Sequence, residues 1–235
     1  MNNKIPKNNK ELIEEISNFE FQNKPPEKKK SKIGIIILVI VIFILFFLCF
    51  SWPTIDKPII YIYPEEDMDI TVKLGNPQLI TSSYPKYEKE WNIHVDTTGN
   101  IYDYKTNRNY YGLYWEGKDK TPLNMEEGFI VEGKDITEFL EAKLELLGLN
   151  EKEINEFIIY WLPRLENNKY NFIRFKTPDE INNYMPLEFS KEPDTLIRIM
   201  VDFKPLNKKI KVKEQTLEKK ERKGFTIVEW GARLN

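Results

Sequence analysis

Residues Ile33 to Phe50 form an unbroken apolar run, and no other feature constrains the chain as much. An α-helix rises about 1.5 Å per residue, so roughly 20 apolar residues cross a ~30 Å hydrocarbon core. Ile33 through Trp52 supplies that length, with Ser51 as its polar member. No position between Ile33 and Phe50 offers a polar face, which argues against a helix buried in a soluble core. A cleaved signal peptide fits poorly, because 32 residues precede the run and Phe46, Phe47, Leu48 and Phe50 provide no small-residue cleavage site. A lipid-modified Cys49 would want small residues before it and has Phe47 and Leu48 instead. The expectation is a single-pass signal anchor.

The flanks orient it. Lys28, Lys29, Lys30 and Lys32 stand before the run, and Asp56, Glu65, Glu66 and Asp67 follow it. Basic flanks stay on the cytoplasmic side, which predicts a cytoplasmic tail at 1–32, a transmembrane segment at 33–52 and an extracytoplasmic domain at 53–235 in the plasma membrane. Trp52 suits the outer interface and Pro53 ends the helix. Eight lysines against five acids leave the tail at +3, and 27 basic against 32 acidic residues leave 53–235 at −5. Within that domain 204–223 holds nine basic and three acidic residues, either an edge guarded by lysines or a surface for anionic polymers or lipid headgroups.

The only cysteine, Cys49, lies inside the run, so the outer domain must stand without an internal disulfide. About 183 residues suffice for a core of their own. A cysteine-free exterior is ordinary for a bacterial domain and unusual for a eukaryotic secreted one. The tail carries one short amphipathic stretch, Glu11–Phe21, and otherwise reads as disordered linker.

Beyond the anchor the pattern switches to period two. Ile59–Tyr63 is apolar on both faces, as in a central strand, while Met68–Leu74 and Trp91–Val95 alternate as half-buried strands. Further strands are expected at Ile101–Tyr104, Asn109–Glu116, Gly128–Glu132, Tyr184–Phe189, Thr195–Phe203, Ile210–Gln215 and Phe225–Trp230. Asp135 and Glu138 write a capping box for a helix that stops at Gly148. Asn150 caps a second, short helix. Phe157–Leu162 looks strand-like, Pro163 argues against a continuing helix, and Phe172–Lys176 is expected to pair with it. These elements predict an α+β fold, a β-rich ectodomain with one or two helices. A division near Gly133 into a β-rich half and an α+β half is the alternative to one continuous domain.

The stretch Lys57-Pro58-Ile59-Ile60-Tyr61-Ile62-Tyr63-Pro64 resembles the opening of an uncharacterised bacterial membrane-anchored extracytoplasmic family. Tyr84-Pro85, Trp91, Tyr114-Trp115-Glu116-Gly117, Tyr160-Trp161-Leu162-Pro163 and Gly224-Phe225-Thr226-Ile227-Val228-Glu229-Trp230-Gly231 match its later motifs in order. The resemblance spans nearly all of 57–231. It implies one continuous domain at the cell surface and carries over no activity.

Several chemistries are disfavoured outright. One histidine and no cysteine outside the anchor cannot form a His/Cys zinc site. His94 sits on the polar face of its strand, no G-x-S-x-G elbow exists, and no phosphate or dinucleotide fingerprint calls for a cofactor. Glu65-Glu66-Asp67 with Asp69 lacks the spacing of a calcium loop, so no metal is expected. An acidic outward-facing domain without a recognition motif predicts no nucleic-acid partner. The remaining candidates are carboxylates beside aromatics: Glu116, Glu132 and Glu229, with Trp91, Tyr114, Trp115, Trp161, Arg164 and Trp230 as ligand-binding candidates. Glu229 runs in phase with Phe225 and Ile227, which draws it toward a buried setting. Two readings follow. The favoured one is a membrane-tethered binding or interaction module for a cell-envelope polymer or a protein partner. The alternative is a cell-surface glycan hydrolase, which requires two of these carboxylates about 5–9.5 Å apart in an open cleft.

Overall fold

A computed structural model describes residues 54–235, together with Ile13, Glu14, Ser17, Ile37, Leu38, Ile40 and Val41. The expected tail and anchor otherwise lie outside the described residues, as does Cys49. Ile37, Leu38, Ile40 and Val41 are helical and exposed. No helix among the described residues is long and apolar enough to cross a membrane.

Residues 52–235 form one compact unit of mixed α+β structure with a β-rich body. Its strands are β1 (Thr54–Tyr63), β2 (Met68–Leu74), β3 (Ile80–Tyr84), β4 (Trp91–Val95), β5 (Ile101–Asp103), β6 (Arg108–Tyr110), β7 (Leu113–Lys118), β8 (Glu127–Glu132), β9 (Tyr170–Phe175), β10 (Leu187–Phe189), β11 (Thr195–Leu206), β12 (Lys213–Glu214) and β13 (Thr226–Leu234). Three helices accompany them: α1 (Ile136–Leu146), α2 (Glu151–Leu165) and α3 (Pro178–Tyr184). Eight strands make one sheet in the order β12-β8-β9-β11-β13-β1-β7-β3, and five make a second in the order β10-β2-β4-β5-β6. Strands from both sides of Gly133 interleave in the large sheet, where β1 pairs with β13 and β8 with β9.

The unit is three layers deep. Alternate residues of β1 explain why that strand is apolar on both faces. Ile59 and Tyr61 join a core with Trp230, Phe157 and Trp161 under α1 and α2, whereas Ile60 and Ile62 join Ile227, Trp115, Trp91 and Val72 toward the small sheet. Each large side chain buried this way contributes about 1.5–3 kcal/mol. β2 and β4 alternate buried and outward positions, as their patterns predict.

Several expected elements differ. Phe157–Leu162 is helical, because Ile154, Phe157, Ile158, Trp161 and Leu165 recur at the 3.6-residue period and face the large sheet. Pro163 sits inside α2 on an exposed face, where water can satisfy the carbonyl it leaves without a donor. β9 therefore pairs with β8 and β11. Asn150 and Glu153 form the capping box of α2, with both reciprocal bonds at 2.9 Å. Asp135 does not cap α1 with its side chain, since a 3-10 turn at Gly133–Asp135 holds its backbone at φ −100° and ψ 3°, away from the extended conformation an N-cap usually takes. Asn109–Glu116 is not one strand. The chain leaves the small sheet after β6 and enters the large one at β7, through Gly112, whose absent side chain leaves room for Ile59 at under 3 Å. Tyr184 ends a helix, leaving Leu187–Phe189 as the strand, and only Lys213–Glu214 pairs within Ile210–Gln215.

Candidate functional site

Glu229 lies on the β13 face directed to the small sheet and is fully buried. It accepts from Trp115 Nε1 at 2.9 Å and from Arg198 Nε at 2.7 Å. Arg198 spends its other donors on Asn182 Oδ1 at 2.7 Å and the Met185 carbonyl at 2.8 Å. Glu116 follows Trp115 in β7 and so projects from the opposite face, half-buried beside Tyr114. Glu132 ends β8 and pairs with Lys134 at 3.2 Å. Three strand spacings of about 4.8 Å separate β8 from β13, so Glu132 is far from Glu229. The three carboxylates are not brought together.

Trp91, Trp115, Trp161 and Trp230 are buried to within 2% and belong to the two cores, so none lines an open surface. Their size and flatness serve packing between layers. Tyr114, Glu116, Arg164 and Trp230 do gather on the helix side of β1, around Lys57 and Tyr160. Lys57 Nζ stands 5.1 Å from the Tyr160 ring centre and 5.5 Å from that of Trp230, and the Arg164 guanidinium lies 4.2 Å from Tyr160. Lys57 adopts φ 54° at an irregularity in β1 that is packed against Gly231. Burial lowers its ammonium pKa, opposed by the Glu156 charge. Burial raises the Tyr114 phenol, helped by its hydrogen bond to Glu116. The rings here are already covered by the protein's own cations.

A cavity lies elsewhere, where the ladder of the large sheet is incomplete. β9 begins its pairing with β11 at Phe175 opposite Val201, and Lys176 N adds one bond to the Met200 carbonyl at 2.8 Å. β11 continues upward from there to Thr195, bonded along its other edge to β13. Thr195 N bonds to Phe225 O, so alternation turns the backbone groups of Leu196 and Arg198 away from β13, toward the open edge. A cleft of about 430 Å³ borders that edge. Phe175, Ile197, Ile199 and Leu217 give it apolar walls, and Lys220 borders it as an exposed cation, whereas Lys176 and Arg198 are buried in ion pairs. Thr216 to Glu218 form its far side, tied at Gln215, whose side chain bonds both Phe175 N at 3.0 Å and Phe175 O at 2.6 Å. Thr177 and Pro178, at the start of α3, close one end.

A buried ion cluster lies behind Lys176. Its ammonium meets Asp119 at 2.5 Å, and Arg233 bonds Asp202 at 2.8 Å and Asp119 at 3.0 Å. Burial pushes the Asp119 carboxyl up, but Lys176 and the bonds from Lys176 and Thr121 outweigh it and leave it below its usual value. Two cations and two anions cancel, so the cluster orients Lys176 without giving the cleft a net charge.

No protein-family model, curated protein or solved structure matches the chain. The cleft offers backbone donors and acceptors in a row, apolar walls and one exposed cation, Lys220. It lacks a carboxylate or nucleophile poised with a base. Among the described residues no group of three or more His, Cys, Asp or Glu side chains could hold a metal ion. His94 contacts Asp69 at 2.9 Å on the small sheet, in an exposed setting. Sequence patterns did not point to the cleft, because it arises from where one strand stops beside another.

Proposed function

We propose that the chain is a membrane-tethered binding module, held by residues 33–52 with 53–235 outside, and that its cleft takes an extended polypeptide segment of a protein partner. The observation that carries this reading is the open edge of β11 from Thr195 to Ile199 facing a cleft of about 430 Å³. A strand edge satisfies an incoming extended peptide through main-chain bonds, and side pockets then select its residues. The volume falls within the range of ordinary ligand sites. Glycan recognition would want an exposed aromatic platform in the cleft, and Phe175, the aromatic that lines it, is buried. Hydrolysis would want paired carboxylates, and Glu229 is held by Arg198 and Trp115.

The test is binding of the full chain, in detergent micelles, to an array of extended peptides of varied sequence. Leu196→Pro removes an N–H that faces the cleft and is not used by the β13 ladder, while Thr216→Trp fills the cleft from its far side. Both variants are expected to lose peptide binding with little change in thermal midpoint. Binding unchanged in both variants, or no peptide bound by the parent chain, would sink the proposal.

A further inference from the structure

We infer that the rim of the large sheet at which β1 begins docks on anionic lipid headgroups. This rests on the anchor assigned above to residues 33–52. Sheet register defines the rim. Thr54 stands opposite Lys118, Leu206 opposite Tyr170, and Tyr170 opposite Glu132. The segments 118–120, 164–170, 204–209 and 132–135 therefore share one end of the sheet. Gly133 confirms the last of these, since a side chain there would strike the Glu166 and Asn168 carbonyls at 2.3 Å.

That end is basic. Lys118, Lys120, Arg164, Lys169, Lys208 and Lys209 are exposed, and Lys204 is half-buried. Glu132, Asp135 and Glu166 oppose them, with Glu132 already paired to Lys134. Asp119 and Asp202 are buried and bound to Lys176 and Arg233. The basic stretch 204–223 thus divides by position. Lys213 pairs with Glu127, Lys219 and Lys223 with Glu221, and Arg222 with Glu153, all away from the rim. The turn after β1, at the other end of that strand, holds Glu65, Glu66 and Asp67.

Chain length supplies the second argument. Only Trp52 and Pro53 stand between Ser51, after the apolar run, and Thr54, which makes three steps along a chain that spans at most about 3.6 Å per residue. The start of β1 is thereby held within roughly 11 Å of the end of the run, close to the ~8 Å screening length at physiological salt. Lysines at that distance from an anionic leaflet are attracted to it.

The experiment uses the full chain reconstituted in vesicles of phosphatidylcholine alone or mixed with phosphatidylglycerol. Amide exchange at 118–121 and 204–211 is expected to slow in the anionic vesicles by about fivefold or more, the factor one lysine near such a surface supplies. At 1 M salt, where the screening length is about 3 Å, the difference should vanish. It should vanish also in the Lys208→Glu, Lys209→Glu double variant, with exchange of β13 unchanged. A carbonate wash separates the two readings. A chain washed off the vesicles overturns the anchor and the docking together. A chain retained with equal exchange in both vesicles overturns the docking alone. Equal protection by dextran sulfate added to phosphatidylcholine vesicles would assign the rim to a soluble anionic polymer and overturn the lipid assignment.

Discussion

Arg198 and Glu229 stand opposite one another in the parallel ladder between β11 and β13, and their side chains bond at 2.7 Å with the carboxylate fully buried. Four residues on, Asp202 and Arg233 repeat the arrangement with the signs exchanged, at 2.8 Å. A one-residue slip of either strand would turn its two charges to the other face and leave all four buried without their partners. The two pairs thus specify which strands align and at what register.

Removing one member of such a pair should cost far more than removing both. Arg198→Met or Glu229→Gln alone is expected to lose about 3–5 kcal/mol, while the double variant recovers a substantial part. Urea denaturation of the four chains measures the coupling. Additive losses would show that the pair does not act as a unit.

Acid stability should follow the buried cluster. The Asp119 carboxyl is depressed below its ordinary value of 3.8, so its stabilisation is full above that value. It is lost as pH falls through the lower, folded-state value. Asp119→Asn should flatten the stability curve in that acid window. At neutral pH it should cost about 3–5 kcal/mol, because Lys176 and Arg233 lose a shared partner. An unchanged acid slope in the variant would remove Asp119 from the account.

Much of the β architecture was legible in the chain, because β2 and β4 each pack one face and alternate accordingly. The double-sided apolar pattern of Ile59–Tyr63 matched a strand between two cores, and the phase of Glu229 with Ile227 matched its burial. The start of helix α2 at Asn150 was legible, but its continuation from Phe157 was lost to local composition, although the apolar spacing from Ile154 to Leu165 is helical. Helix α3 carried a readable signal in Thr177-Pro178-Asp179-Glu180: an N-cap, a proline at the first position and the reciprocal glutamate. The cleft had no local signature. It depends on β9 ending at Phe175 while β11 runs on, a long-range matter of register. The nearest clue was the complementary spacing of Arg198 with Asp202 against Glu229 with Arg233.

Pro163 tests how that helix tolerates its own breaker. The carbonyl of Ile159 loses its donor, yet Ile159 is 73% exposed and water can replace the bond. Pro163→Ala should restore the donor and raise stability by about 1–3 kcal/mol without altering helix content. Thermal melts with far-UV circular dichroism decide this. A destabilised variant would mean that the proline ring packs in a way an exposed position does not require.

Alkaline pH should expose the tyrosines that tie β1 to α2. Tyr61 donates to Glu156 at 2.6 Å and Tyr63 to Glu153 at 2.7 Å. Burial raises both phenols well above their usual value of 10.0, and the adjacent carboxylates raise them further. A phenol raised in this way stabilises the fold fully below its ordinary value. That contribution is lost as pH rises through the higher, folded-state value. Absorbance titration should therefore show exposed tyrosines ionising while the fold persists. Tyr61 and Tyr63 should ionise only together with loss of the circular dichroism signal. Tyr61→Phe removes one such group, so its stability should fall less steeply above pH 10. A single reversible step near pH 10 that ionises every tyrosine with the fold intact would contradict the burial of this pair.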